Sequence, residues 1–182
     1  MKPWGAAAFA PRRIALVGAS VEAGKAGRLL LDNLRASGPH EIVAIHPSAS
    51  DIGGHAAYPS IAAAPGEIDL AVIVTPAATT PLIIAVCARA GVPAALILSG
   101  GFKETGAVGA ALEAEVLRAA RAGLGLGSSS GGVRLIGPNC FGLIDVQRGL
   151  NASLAMGLPR AGGVSLFTQS GSYGMADRKS VV

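Results

Sequence analysis

From residue 13 onward the chain repeats one pattern of apolar and polar positions. A run of about five aliphatic residues ends in glycine, proline or a small polar residue, and a longer segment with apolar residues at helical spacing follows. The run RIALVGAS (13–20) predicts a strand that ends at Gly18, and GKAGRLLLDNLRASG (24–38) puts Leu29, Leu30 and Leu34 at helical spacing before Gly38 stops it. EIVAIHP (41–47) predicts the second strand, YPSIAAAPGEI (58–68) a short turn of helix and loop, and DLAVIVTP (69–76) the third strand. A helix over 78–91, a strand in PAALILSG (93–100), a helix over 106–123 and a strand in VRLIG (133–137) complete the pattern.

Five apolar strands separated by helix-length crossovers predict an α/β fold, a doubly wound parallel sheet. In such sheets ligands bind beyond the carboxyl ends of the strands. Here those ends read GAS, HP, TP, SGGF and GPNC.

Two segments break the rhythm. The tract GLGLGSSSGG (123–132) has no apolar face to bury and predicts a flexible surface loop. After residue 158 the pattern restarts, because GGVSLFTQSGSYGMA (162–176) predicts a strand, a polar turn and the first turn of a helix. The expected organisation is one domain over 1–158, the start of a second, incomplete domain over 159–176, and a non-native tail at 177–182, where DRKSVV abandons the helical pattern.

Composition sharpens this picture. Half of the residues are hydrophobic but only 4% are aromatic, which suits aliphatic strands covered on both faces by helices. The net charge of +4 is spread singly or in pairs such as Arg12-Arg13, so neither a nucleic-acid stripe nor a stacking platform is expected. No apolar run approaches the roughly 20 residues of a membrane span. Cys87 and Cys140 are far apart and lack metal-ligand spacing, so no metal site is expected and the reducing cytoplasm is the expected compartment.

The chemistry should lie at the strand ends. Gly18, Gly24 and Gly27 form a glycine-rich turn into the first helix, where backbone N–H groups and the helix dipole favour a phosphate. The spacing is neither G-x-G-x-x-G nor a P-loop. Enzymes that bind NAD usually place an acid after the second strand to hold the ribose, whereas this chain has His46-Pro47-Ser48, which counts against an NAD(P) module. TQSGSYG (168–174) places Ser170, Gly171 and Ser172 at a predicted strand-to-helix turn suited to phosphate. It is not the G-x-S-x-G elbow of hydrolases.

The segments FAPRRIALVGAS, DLAVIVTPAAT, SGGFKETG, VRLIGPNCFGLID, LNAS and GGVSLFTQSGSYG occur in the order found in the CoA-binding region of NDP-forming acyl-CoA synthetases. The chain resembles that family over residues 8–176. The family includes the ADP-forming acetate–CoA ligases and the succinyl-CoA synthetase alpha subunit. The resemblance implies a Rossmann-like CoA-binding domain followed by the opening of a flavodoxin-like ligase domain.

By the same resemblance, Gly18, Ala19, Ser20 and Lys25 would line the CoA diphosphate and adenosine site, and Pro47, Thr75, Pro76, Gly100 and Phe102 the rest of the CoA path. The GPN elbow would sit beside the CoA thiol, with Asn139 offering its amide to an acyl carbonyl or to the backbone. Cys140 has no cationic neighbour in the motif and reads as packing. Family members often carry Asn-Pro-Lys where this chain has His46-Pro47-Ser48. The implied reaction converts acyl-CoA, NDP and phosphate to carboxylate, CoA and NTP through an acyl phosphate and a phosphohistidine. His40, His46 and His55 match no catalytic position, so that histidine, ADP/ATP, Mg and an ATP-grasp domain or beta subunit would belong to a part outside this chain. A non-catalytic CoA-binding regulatory module fused to an acetyltransferase fits the same residues.

Overall fold

The computed structural model describes residues 3–122 and 132–171. The elements are α1 (Trp4–Phe9), β1 (Arg13–Val17), α2 (Ala26–Ser37), β2 (Glu41–Ile45), β3 (Asp51–Ile52), β4 (His55–Tyr58), β5 (Leu70–Ile73), α3 (Thr80–Arg89), β6 (Ala94–Ile97), α4 (Ala107–Arg121), β7 (Arg134–Ile136), β8 (Gly142–Asp145) and β9 (Leu150–Ser153).

Seven strands form one sheet in the order β3-β4-β2-β1-β5-β6-β7, and β8 pairs with β9 in a separate hairpin. Every pairing in the large sheet is parallel except β3 with β4. Without β3, the order is that of a Rossmann-like doubly wound sheet: the chain builds outward from β1 through β2 and β4, then returns to β1's other side at β5.

The core follows from the period of two along each central strand. On one face Ile14, Leu16, Leu70, Val72 and Leu96 meet α2's Leu30, Leu31 and Leu34. On the other Ala15, Val17, Ile73 and Ile97 meet Ile84 and Cys87 of α3 and Val116 of α4. Because β1, β5 and β6 are covered on both faces, their residues are aliphatic without polar alternation.

Four features depart from the sequence expectations. The sheet has seven strands rather than five, because a β3–β4 hairpin forms over 51–58, a stretch for which no element was expected; the short helical turn expected within 58–68 is present at Ile61–Ala63. Gly53 and Gly54, both at positive φ, make the two-residue turn of the hairpin. Helix α1 adds a cover near β6 that the broken apolar run at the N-terminus did not predict. The segment LNAS is β9 of the second hairpin and is buried throughout.

The fourth is a correction. Residues 162–168 form no strand. A strand completes its hydrogen bonds on a neighbour, and this segment has no partner strand among the described residues. Val164 and Phe167 are each 93% exposed. Most of the glycine-serine tract (123–131), Ser172 and the expected tail at 177–182 lie outside the described residues. Among the described residues, no helix is long and apolar enough to cross a membrane.

Candidate functional site

The chain reverses its direction of winding between β1 and β5, and doubly wound sheets take their ligands at such a switch point, beyond the carboxyl ends of the strands. Gly18 follows β1 with φ +94°, and a Cβ at this position would lie 3.0 Å from the Thr75 methyl. Only glycine allows so close an approach at this backbone conformation. Gly27, in the first turn of α2, packs so closely that a Cβ would fall on the Gly18 carbonyl oxygen. Together the two glycines bring the start of α2, where a helix leaves N–H groups without intrahelical partners, down onto the β1 end.

Ala19 is buried behind this turn. The Ser20 hydroxyl accepts the Glu22 N–H at 3.0 Å and so tightens the loop. Lys25 immediately precedes α2, is 60% exposed, and pairs with Glu22 at 3.7 Å. Its ammonium reaches solvent at the helix start, where an anion would arrive.

After β5, Thr75 and Pro76 enter a short helical turn. Thr79 donates its hydroxyl hydrogen to the Thr75 hydroxyl at 2.9 Å or to the Pro76 carbonyl at 2.8 Å. The Ser99 hydroxyl, after β6, donates to the Thr75 carbonyl at 2.5 Å. The Ser99 carbonyl in turn accepts the Asn139 N–H at 2.9 Å. A ladder of bonds thus ties the crowns of β5, β6 and β7 together.

The elbow Gly137-Pro138-Asn139 tops β7. Asn139, at φ +52°, is the single non-glycine residue in the left-handed region among the described residues. Residues held there cluster at sites whose geometry matters more than local comfort. Its side-chain oxygen faces Gly100, where a Cβ would lie 3.2 Å away.

Cys140 donates its S–H to the Ile97 carbonyl at 3.3 Å, and burial pushes its pKa up to about 11. Cys87, in the α3 face of the core, is pushed by burial up to about 12. A thiol so far above its ordinary range is no nucleophile at neutral pH.

The expected site residues divide cleanly. Gly18, Ala19, Ser20, Thr75, Pro76, Gly100 and Asn139 gather around the β1, β5, β6 and β7 ends. Pro47 follows β2 and is exposed. Beside it, His46 Nδ1 accepts the N–H groups of Ser48 (3.3 Å) and Ala49 (3.1 Å), so in the neutral ring the proton resides on Nε2. Phe102 is corrected: its ring is 0% exposed and packs with Ile84, Val116 and Ile97 in the core, so only its backbone belongs to the crown. Ser170 donates its N–H to the Thr168 hydroxyl at 3.0 Å. Gly171 sits against Phe141, since a Cβ there would lie 3.5 Å from the Phe141 Cβ, which brings the TQSG turn next to the elbow.

Sequence reasoning missed the support beneath the elbow. Asn33 and Ser37 of α2 dock β9: Asn33 donates to the carbonyls of Ser153 (2.9 Å) and Ala155 (2.6 Å), and Ser37 accepts the Asn151 N–H at 3.1 Å. The signal was available as two small polar residues on the otherwise apolar face of that helix.

Residues 12–145 match the family described as a CoA binding domain. The chain is 37% identical over 168 residues to acetate–CoA ligase [ADP-forming] I of Archaeoglobus fulgidus, an alignment that spans 92% of this chain and 23% of that protein. It is 33% identical to acetate–CoA ligase [ADP-forming] II subunit alpha of Pyrococcus furiosus, spanning 91% of this chain and 34% of that one. A crystal structure of a Pyrococcus horikoshii OT3 protein superposes with a TM-score of 0.85 at 31% identity, covering 96% of this chain and 38% of that chain. The dinucleotide-forming acetyl-coenzyme A synthetase 1 of Ca. Korarchaeum cryptofilum, solved with phosphate and ADP, gives 0.76 at 32% identity, covering 94% and 35%. The chain therefore spans about a quarter to a third of the length of these two ligases.

Proposed function

The chain belongs to the CoA-binding-domain family, and from that premise we propose that it is the CoA-binding portion of an NDP-forming acyl-CoA synthetase of the acetate–CoA ligase kind. The observation that carries the reading is the switch point between β1 and β5, where Gly18 packs too closely on Thr75, and Gly27 on Gly18, to admit a side chain, so that bare backbone and the start of α2 meet there. These residues fit the group: a polyanionic diphosphate needs close backbone approach and N–H donors, and the Gly18 turn at the start of α2 offers bare backbone there.

In this reading the Gly18–Ser20 turn and α2's first N–H groups hold the diphosphate, with Lys25 adding charge at the mouth. Pro47 and His46 border the adenosine end. Thr75, Pro76 and Gly100 flank the remaining path, which leads toward Asn139. CoA supplies the thiol that accepts or releases the acyl group. Asn139 orients the acyl carbonyl by its amide, and its left-handed backbone sets the direction of that amide. Cys140 stays protonated and holds the elbow to β6.

The proposal extends to the complete enzyme: acyl-CoA, NDP and phosphate give carboxylate, CoA and NTP through an acyl phosphate and a phosphohistidine. Short carboxylic acids are its substrates. ADP/ATP, Mg and the phosphorylated histidine act in an ATP-grasp domain or beta subunit outside this chain. Residues 159–176 open a flavodoxin-like ligase domain whose Ser170–Ser172 turn receives phosphate beside the elbow. Two free cysteines support a reducing, cytoplasmic setting.

Calorimetric titration with CoA, NAD and NADP tests the first step. Saturable CoA binding with neither dinucleotide competing is expected, whereas preferential NAD or NADP binding overturns the reading.

A further inference from the structure

Glu104 lies in the single turn Lys103–Thr105 that carries the chain from the β6 crown into α4. One carboxylate oxygen, Oε1, accepts both the Gly101 N–H at 2.6 Å and the Phe102 N–H at 3.1 Å. The same oxygen closes on Gly100. A Cβ at Gly100 would lie 3.2 Å from Glu104 Oε1 and 3.2 Å from Asn139 Oδ1, so both side-chain oxygens approach the bare side of this glycine. Asn139 is tied to the same loop through its own N–H on the Ser99 carbonyl.

The loop needs such a clamp. Gly100 and Gly101 are the most freely varying pair the backbone can have, and Gly101 sits at φ +106°. On its far side the loop is anchored by the buried Phe102 ring. On its near side, among the described residues, the carboxylate is the side chain that fixes both amides.

We propose that Glu104 is a positioning residue of the crown, whose carboxylate fixes the Gly100–Phe102 backbone and through Gly100 sets where the Asn139 amide stands. A turn cap alone would require no relation to Asn139. The shared approach of the two oxygens to the bare side of Gly100 supplies that relation. The consequence for CoA rests on the function proposed above, but the clamp itself does not.

The Gly101 N–H, above all, holds the Glu104 carboxyl below the usual glutamate range, with Phe102 and Lys103 acting in the same direction. Lys103 is the cation beside it and is itself paired with Glu113 of α4 at 3.8 Å. The clamp is therefore fully present above the ordinary carboxyl pKa and is lost as pH falls through the lowered one.

The test is amide NMR on the ligand-free 182-residue chain between about pH 3 and about pH 7, for wild type, Glu104→Gln and Glu104→Ala. In wild type the Gly101 and Phe102 amide protons should titrate together, with a midpoint below that of ordinary glutamate, and the Asn139 side-chain amide should follow. Glu104→Gln keeps an acceptor oxygen, so it should remove the titration and leave the Asn139 amide in place. Glu104→Ala should displace it. An Asn139 amide that ignores both the titration and the alanine variant overturns the proposal.

In a parallel CoA titration, Glu104→Ala should weaken binding by roughly tenfold and Glu104→Gln by no more than about threefold, as expected for loss or retention of a charge-assisted pair of hydrogen bonds. Equal affinity in wild type and Glu104→Ala also overturns it. A wild type that binds no CoA sinks the proposed function instead, and the ligand-free titration still decides the clamp.

Discussion

Gly18 and Thr75 stand side by side beyond the carboxyl ends of the paired strands β1 and β5, so close that a single methyl group on Gly18 would lie 3.0 Å from the Thr75 Cγ2. The substitution Gly18→Ala therefore both strains a backbone at φ +94° and crowds the β5 end at Thr75 and Val74. A loss of about 1–2 kcal/mol in stability is expected from the backbone conformation alone, together with loss of CoA binding. Denaturant unfolding and calorimetry on the same variant separate the two effects. Unimpaired CoA affinity would place the ligand elsewhere.

Asn139 divides into a backbone and an amide. Asn139→Gly relieves the left-handed conformation while removing the side chain, so its stability should stay within about 1 kcal/mol of wild type. Asn139→Ala keeps the strain and loses the amide, and it should be the less stable of the two. In the complete synthetase both should lower the rate of acyl transfer more than CoA affinity. A glycine variant with full acyl-transfer activity would remove the amide from the mechanism.

Phe102 provides a contrast. Its ring fills the core among Ile84, Ile97 and Val116, so Phe102→Ala should cost about 3–5 kcal/mol of stability. Below its melting temperature the variant should still bind CoA, because the ring is buried. Affinity lost without loss of stability would restore the ring to the CoA path.

Cys140 should resist alkylation. With its pKa pushed up to about 11 by burial, about one thiol in a thousand is ionised at about pH 8. Iodoacetamide labelling of the folded chain should be slow there, and rapid after unfolding in urea. Fast modification of Cys140 in the native chain would contradict the buried, S–H-donating geometry.

Asn33 supports the hairpin from below. Asn33→Ala leaves the carbonyls of Ser153 and Ala155 without their donor, a cost of about 1–3 kcal/mol for each buried acceptor that water cannot reach. Hydrogen exchange should accelerate at Asn151 and Ser153 before it does in β1 or β5. Uniform exchange across the chain would show that the hairpin is not separately docked.

Much of this was legible in the residues. The aliphatic runs of β1, β5 and β6 could only be strands buried on both faces, and their glycine- and proline-rich ends marked the crown. What stayed hidden depended on distant partners. β4, with the weak segment HAAY, becomes a strand because β2 offers it an edge. β9 reads as polar yet is buried, because Ser37 and Asn33 pair the Asn151 N–H and the Ser153 carbonyl while the Asn151 and Ser153 side chains pair with one another. Phe102 sat in a loop motif, and only packing against α3 and α4 shows that its ring turns inward. Conversely, the aliphatic alternation at 162–168 promised a strand, but no neighbouring strand accepts its hydrogen bonds among the described residues.

The most direct measurement of the central claim is a CoA titration of the isotope-labelled chain followed by backbone amide shifts. The account predicts saturable changes concentrated at Gly18, Ala19, Ser20, Thr75, Gly100 and Asn139, on the carboxyl side of the sheet. Absence of change, or changes confined to the opposite, amino ends of the strands around Arg12, Asp69 and Arg134, would contradict it.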